Sequence, residues 1–270
     1  MLRVLVYQYD IVWENPDLNH IRIEEQLGKF FATDWADIVV LPEFFATGFT
    51  MNGACAQDMQ GKSLTFLKYV SQKFSSAVVG SVPVAENGLI YNRSLFVTPE
   101  GIVYQYDKKH LFRMSSENDL YSPGKCRTVF EYKGWKIALN VCYDLRFPVW
   151  SRNVENQYDL MIDVASWPVQ RIAAAQILAK ARAIENQCYY IFANRSGDSP
   201  YEKYNGGSMI VDYKGNDIAA GENGMLLTAD LDLEGLRKFR YAPWALSTIR
   251  GIPAALQTSL IPLISAILPR

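Results

Sequence analysis

Short apolar runs separated by helix-length amphipathic stretches constrain this chain more than any other feature. Residues 3–8, 38–41 and 77–84 are rich in Val, Ile and Leu, and their length and composition predict buried strands. Between them, Ile21, Ile23, Leu27, Phe30 and Phe31 supply the apolar positions of a helix over 19–31, and Ser63 is placed to cap a helix running to Phe74. A β-rich section follows. Residues 89–98 and 102–107 flank Pro99-Glu100-Gly101, which predicts a hairpin, and Lys133-Gly134 predicts a turn before the strand leading to Cys142. Strands are expected again at 160–165, 189–193, 206–212 and 225–230, with a long helix over 169–186.

The pattern contains an internal echo. Ser94-Leu95-Phe96-Val97-Thr98-Pro99-Glu100-Gly101 matches Ser208-Met209-Ile210-Val211-Asp212-Tyr213-Lys214-Gly215 as a strand ending in a tight turn at Gly. A helix–strand unit precedes each copy. The expected architecture is therefore two related halves, each a sheet with helices on one face, packed sheet to sheet. No low-complexity linker or composition shift precedes residue 240, so residues 1–240 are expected to form one domain.

Composition narrows the functional classes. The 270 residues are 49% hydrophobic with a net charge of −1, enough chain for a sizeable core and no surplus of Lys and Arg for a nucleic-acid backbone. The start of the chain enters a strand-like run without a secretory segment, and no apolar stretch reaches the roughly 18 residues of a membrane span. The four cysteines form no C-x-x-C pair, and a chain of this size needs no disulfide staples, so reduced thiols and a cytoplasmic location are expected. With only His20 and His110, and no glycine-rich nucleotide fingerprint, no metal and no cofactor are expected.

Chemistry-bearing residues sit where strands stop. Leu41-Pro42-Glu43 places a carboxylate after one strand, Tyr106-Asp107-Lys108-Lys109-His110-Leu111-Phe112 places an ammonium after another, and Cys142 ends a third. A cysteine nucleophile needs a base, a positive or N–H environment for the developing oxyanion, and groups that hold both. Each residue also has an ordinary structural role open to it: Glu43 as a turn carboxylate, the lysines as loop solvation, Cys142 as a small core side chain. Cys55, Cys126 and Cys188 read as core or loop residues.

Those three motifs, with Ala181-Arg182-Ala183-Ile184-Glu185-Asn186-Gln187, resemble the nitrilase (carbon–nitrogen hydrolase) superfamily over residues 1 to about 240. Within it, residues 41–49, 108–114 and 147–153 look most like the bacterial omega-amidases. The resemblance implies an α/β fold, a four-layer αββα sandwich with two pseudo-related halves. It implies a small-molecule amide substrate, such as a 2-oxo dicarboxylic acid monoamide. By the same resemblance, Glu43 is the general base, Lys108 the triad lysine, Cys142 the nucleophile and Glu117 a second glutamate holding Lys108. The backbone N–H of Tyr143 would help bind the oxyanion.

For the substrate's far carboxylate, Arg146 is the candidate, with a structural ion pair to Asp144 or Glu185 as the other possibility. Phe45 and Trp167 are candidate pocket walls, with core packing open for Trp167. Arg182 and Glu185, three apart on a helix, have the spacing of an ion pair. Another amidase, an N-carbamoyl hydrolase, or a non-catalytic sandwich used for binding are the competing functions.

Two stretches depart from the family pattern. Residues 172–176 lack the bulky aromatic common there, which touches either the pocket wall or helix packing. Residues 241–270 carry only Arg250 and Arg270 as charges. That apolar tail reads as an arm at a dimer interface, an amphipathic surface helix, or a segment unrelated to the family, for instance from a shifted reading frame. An exposed apolar tail favours self-association, so a homodimer or higher homo-oligomer is expected.

Overall fold

Along each early strand, alternate side chains go to different cores, and this sorts the molecule into layers. In β1 (Leu2–Tyr7), Val4 and Val6 join one buried cluster while Leu5 and Tyr7 join another. The second cluster includes Ile23 and Leu27 of α1 (Pro16–Phe31) and Leu64, Leu67 and Val70 of α2 (Lys62–Phe74), so it lies between sheet and helices. The first cluster gathers residues of both sheets together with Ile172, Ala175, Ala179 and Ala183, so it fills the space between the sheets and continues under the helix on the second sheet. A computed structural model of the chain describes residues 1–221 and 226–241.

The remaining elements follow in chain order. They are β2 (Ile38–Val40), β3 (Ala77–Glu86), β4 (Leu89–Val97), β5 (Val103–Asp107), the short α3 (Glu117–Leu120), β6 (Val129–Tyr132), β7 (Trp135–Val141) and β8 (Leu160–Val164). Then come α4 (Ile172–Asn186), β9 (Tyr189–Ala193), β10 (Ser196–Asp198), β11 (Lys203–Asn205), β12 (Ser208–Val211), β13 (Asp217–Gly221), β14 (Leu226–Leu231) and α5 (Leu233–Arg240). One six-stranded sheet has the order β14-β1-β2-β3-β4-β5 and the other β13-β12-β9-β8-β7-β6, with α1 and α2 on the first and α4 on the second. The described residues thus form the four-layer αββα sandwich.

Both sheets follow one rule. Read from β14 and from β6, the successive pairings are antiparallel, parallel, parallel, antiparallel, antiparallel. The registers align the halves residue by residue. Val6, Val40, Val79, Phe96 and Tyr104 run across the first sheet; Leu139, Ile162, Ile191, Ile210 and Ala219 run across the second. Phe96 and Ile210 are matched positions of the sequence echo, and both rows line the core between the sheets.

Several boundaries differ from expectation for identifiable reasons. Helix α1 starts earlier because Asn15 Oδ1 accepts the Leu18 N–H and Pro16 suits the first helical turn. Ser63 is not the cap of α2: it lies inside the helix, and Gln57 Oε1 accepts its N–H instead. Helix α4 starts only at Ile172: Arg171 takes non-helical angles (φ −121°, ψ −2°), and the Val169 N–H goes to the Lys203 carbonyl at 2.9 Å. Lys133 and Gly134, with φ of 49° and 76°, make the two-residue turn of the β6–β7 hairpin. The β10–β11 hairpin and β13 have no clear apolar period to reveal them, whereas α5 carries one at Leu233, Leu236 and Phe239, behind the Asp232 cap, that went unread. Met225 of the expected 225–230 strand and the expected tail from 242 to 270 lie outside the described residues.

Candidate active site

Three strand ends converge where the two sheets meet. The turn after β2 delivers Glu43, the residue after β5 is Lys108, and the residue after β7 is Cys142. Lys108 Nζ donates to Glu43 Oε1 at 2.9 Å and to Glu117 Oε1 at 3.0 Å, and all three side chains are fully buried. Glu117, on the one-turn helix α3, is aimed by its other oxygen, which accepts the Phe112 N–H at 2.6 Å. Lys109 points elsewhere, with its ammonium 5.4 Å from the Trp150 ring.

The nucleophile candidate is held in a strained turn. Cys142 has φ 52°, the left-handed region that a side chain enters at a cost of about 1 kcal/mol or more. Its N–H donates to Asp163 Oδ1 at 2.7 Å, and Asp163 Oδ2 accepts the Tyr190 hydroxyl at 2.8 Å. A short 3₁₀ turn, Cys142–Arg146, follows, so the Tyr143 N–H belongs to its first turn, where no helical carbonyl precedes it. The Cys142 N–H is therefore already engaged by Asp163.

The turn is tied to the lysine strand as well. Asp144 accepts the Tyr106 hydroxyl at 2.7 Å through one oxygen and the His110 N–H at 2.9 Å through the other. The His110 Nδ1 is 2.8 Å from the same carboxylate, and its ring stacks on Phe147.

Burial and charge set the ionisation. Burial pushes the Cys142 thiol well above its usual value, the Glu43 charge adds to this, and Lys108 opposes it. Burial also raises the Glu43 carboxyl, with Lys108 offsetting and Glu117 reinforcing. For Lys108, burial works against the ammonium, but Glu117 and Glu43 outweigh it and hold the group well above lysine's usual value. The resting site is thus a neutral thiol beside a carboxyl and a fixed cation. Such a thiol attacks only if its proton is removed as it moves.

A cavity of about 710 Å³ opens onto these groups. Arg146, Arg171, Trp167, Phe112, Phe49 and Tyr204 line it together with Glu43, Lys108 and Cys142. Arg146 is exposed, forms no ion pair among the described residues, and lies 5.0 Å from the Trp167 ring. Its alternative partners are engaged elsewhere: Asp144 as above, Glu185 by Arg182 at 2.9 Å. Trp167 is both buried and part of the wall, its Nε1 3.4 Å from the Cys142 carbonyl.

Phe45 is a correction. It packs in the core between sheet and helices, against His20 and Phe66, and does not line the cavity. The left-handed Phe44 (φ 48°) turns the chain there, and Gly80 makes the room, since a Cβ at that position would sit 2.8 Å from the Phe45 ring. Phe49 takes the wall position instead, its ring 5.2 Å from the Lys108 ammonium.

The small residues at 172–176 bear on packing. Ile172 and Ala175 join the core, and α4 is bound to the nucleophile turn by Arg182 Nε donating to the Leu145 carbonyl at 3.0 Å. Asn186 accepts the Asn153 N–H, and the Gln187 carbonyl accepts Arg240 Nε.

Two polar residues inside strands belong to the site and carry no motif. Asp163 interrupts the apolar run of β8, and Asn92 sits within β4 with its Nδ2 2.7 Å from Glu43 Oε1 and 3.2 Å from Glu117 Oε1. A buried carboxylate or amide within a strand was itself a signal, because such a group needs a partner. Among the described residues, no group of three or more His, Cys, Asp and Glu could hold a metal ion, and no helix is long and apolar enough to cross a membrane.

Comparison with known proteins places this geometry in context. The family model described as carbon–nitrogen hydrolase matches residues 3–241. The omega-amidase YafV of Yersinia enterocolitica is 40% identical over 242 residues, covering 88% of this chain and 93% of that protein. The 2-oxoglutaramate amidase of Bacillus subtilis is 35% identical over 234 residues, covering 84% and 89%. Among solved structures, XC1258 of Xanthomonas campestris, described as a CN-hydrolase superfamily protein with an arsenic adduct in its active site, has a TM-score of 0.84. It is 31% identical, and the match covers 100% of this chain and 98% of that one.

Proposed function

Because the chain belongs to the carbon–nitrogen hydrolase family, we propose that it is an omega-amidase, hydrolysing the terminal amide of small 2-oxo dicarboxylic acid monoamides such as 2-oxoglutaramate to the acid and ammonia. The observation that carries the amidase chemistry is the buried Glu43–Lys108–Glu117 cluster beside Cys142. The names of two relatives, omega-amidase YafV and 2-oxoglutaramate amidase, support the choice of substrate. So does Arg146, a guanidinium on the cavity wall with no ion pair among the described residues, suited to a carboxylate.

The proposed mechanism moves one proton back and forth. Glu43 takes the thiol proton as Cys142 Sγ bonds to the amide carbon. The oxyanion forms against Lys108 Nζ and the Tyr143 N–H. Glu43 returns the proton to the leaving nitrogen, the C–N bond breaks, and ammonia departs from a thioester. Glu43 then takes a proton from water as its oxygen attacks the thioester carbon. Collapse releases the acid, and the proton returns to the Cys142 thiolate. Glu117 holds Lys108 throughout. The catalysis needs no metal or organic cofactor, and the intact cluster weighs against a non-catalytic sandwich.

The test is ammonia release from a panel of amides that differ only in the distal carboxylate, with carbamoyl amino acids and simple nitriles alongside. Preferential turnover of 2-oxoglutaramate is expected. Faster turnover of carbamoyl amino acids would move the assignment to an N-carbamoyl hydrolase. We also propose a cytoplasmic homodimer or higher homo-oligomer; a clean monomer by light scattering at micromolar concentration would count against the assembly.

A further inference from the structure

Glu43 has two buried oxygens in unlike states. Oε1 accepts from Lys108 Nζ at 2.9 Å and from Asn92 Nδ2 at 2.7 Å, whereas Oε2 is buried without a hydrogen-bond partner among the described residues. A carboxylate used as a base takes the proton on the oxygen whose lone pairs are free, so what fills Oε1 decides which oxygen works.

Asn92 is built for that task and for no evident other. Its side chain is fully buried in β4, and its amide nitrogen bridges Glu43 and Glu117, at 2.7 and 3.2 Å. The orientation of the amide is fixed by chemistry. The Glu43 and Glu117 oxygens that accept from the Lys108 ammonium are acceptors here too, so the NH2 group faces them, and Asn92 Oδ1 is buried without a hydrogen-bond partner among the described residues. The same residue's backbone carbonyl accepts the Lys108 N–H at 2.9 Å, so one strand position braces all three members of the cluster. No ion pair is formed in the process: Asn92 adds donors without adding charge.

We infer that Asn92 is a positioning residue for the reaction: together with Lys108 it occupies Oε1 of Glu43 and so reserves Oε2 for the proton of Cys142. This rests on the proposed role of Glu43 as base. The groups that act electrostatically on Glu43 or are acted on by it are Lys108, Glu117, Cys142, Asp163, Tyr121 and Tyr204, and none of them is itself substituted when Asn92 is changed.

The experiment compares Asn92→Leu, a near-isosteric side chain without donors, with Asn92→Asp, which keeps the shape and replaces donors by acceptors. Two readouts are followed against pH: iodoacetamide alkylation of Cys142, resolved from the other cysteines by peptide mass spectrometry, and kcat/KM for 2-oxoglutaramate. Loss of the donors makes Glu43 more basic, so the acid limb moves to higher pH. On that limb, rates should fall ~10-fold beyond any loss on the plateau. Asn92→Asp should lose more than Asn92→Leu. An unmoved acid limb, or Asn92→Leu the more damaged of two folded variants, would overturn the proposal. Should Asn92→Leu fail to fold, Asn92→Asp alone decides by its limb. Alkylation reads Cys142 and Glu43 whatever the substrate is. A wild-type protein whose alkylation depends on Glu43 but which ignores 2-oxoglutaramate would refute the substrate and leave this inference standing.

Discussion

Three residues beyond the row that lines the inter-sheet core, β1 leads to Tyr9 and β2 to Glu43. The matching positions in the second half are Cys142 and Ala165. The halves share a topology and, apart from a bulge between Ile210 and Val211, its register, but differ in the residues they bring to the site. Tyr9 donates its hydroxyl to the Phe45 carbonyl, and the Ala165 carbonyl accepts the Glu43 N–H at 3.4 Å, so the counterparts pack the site and leave the reaction to others. The contrast extends to Asp163, whose counterpart in the first sheet is Leu41, one step past β2. A repeated frame brings matching strand ends to one place, and the proposed chemistry needs only one nucleophile and one base there.

The sharpest way to break this comparison is at its centre. Cys142→Ala and Glu43→Gln should each lower turnover at least ~1,000-fold with the circular dichroism spectrum unchanged. Retained activity in either would mean that the chemistry lies elsewhere. Next in size, Arg146→Ala should raise KM for the carboxylate-bearing amide roughly 10- to 100-fold, by loss of charge-assisted hydrogen bonds. An equal loss on a neutral amide would remove Arg146 from substrate binding. By contrast, Tyr9→Phe, at the counterpart of the proposed nucleophile, should cost about 1 kcal/mol of stability in a denaturant melt and leave kcat intact. A fall in kcat comparable to that of Cys142→Ala would show the halves to be chemically linked.

The smallest effect concerns Asp163. Burial raises its carboxyl well above the usual range, so the folded state holds that proton more tightly than the unfolded chain does. Its contribution to stability is present at acid pH, below the ordinary carboxylate range, and is lost as pH rises toward the raised value. Asp163→Asn removes that slope, so the Tm of the variant relative to wild type should climb with pH across this window. A constant difference would mean that Asp163 does not titrate differently on folding.

Much of this was legible in the chain. Runs of Val, Ile and Leu declare strands because a buried pleated segment has few alternatives, and the Ser94 and Ser208 echo does align the two sheets. Glu43, Lys108 and Cys142 each stand just past such a run, and Glu117 joins them across a turn. Phe45 was misplaced because the direction of a side chain after Pro42 depends on the left-handed Phe44, which the letters do not display. Asn92 and Asp163 went unread for a related reason. A polar residue in a strand announces a partner without naming it, and the partners lie 49 and 21 positions away.

The first sheet is completed by pairing Leu2 with Leu231, one edge of the first strand against the last strand described. On a ribosome, where synthesis is sequential, β1 would leave the tunnel long before β14 exists. Its backbone donors and acceptors on that side must wait for more than two hundred residues of translation. During that wait the strand is an open edge able to pair with another nascent chain, which makes the period before β14 arrives the time when this protein most needs dilution or a chaperone.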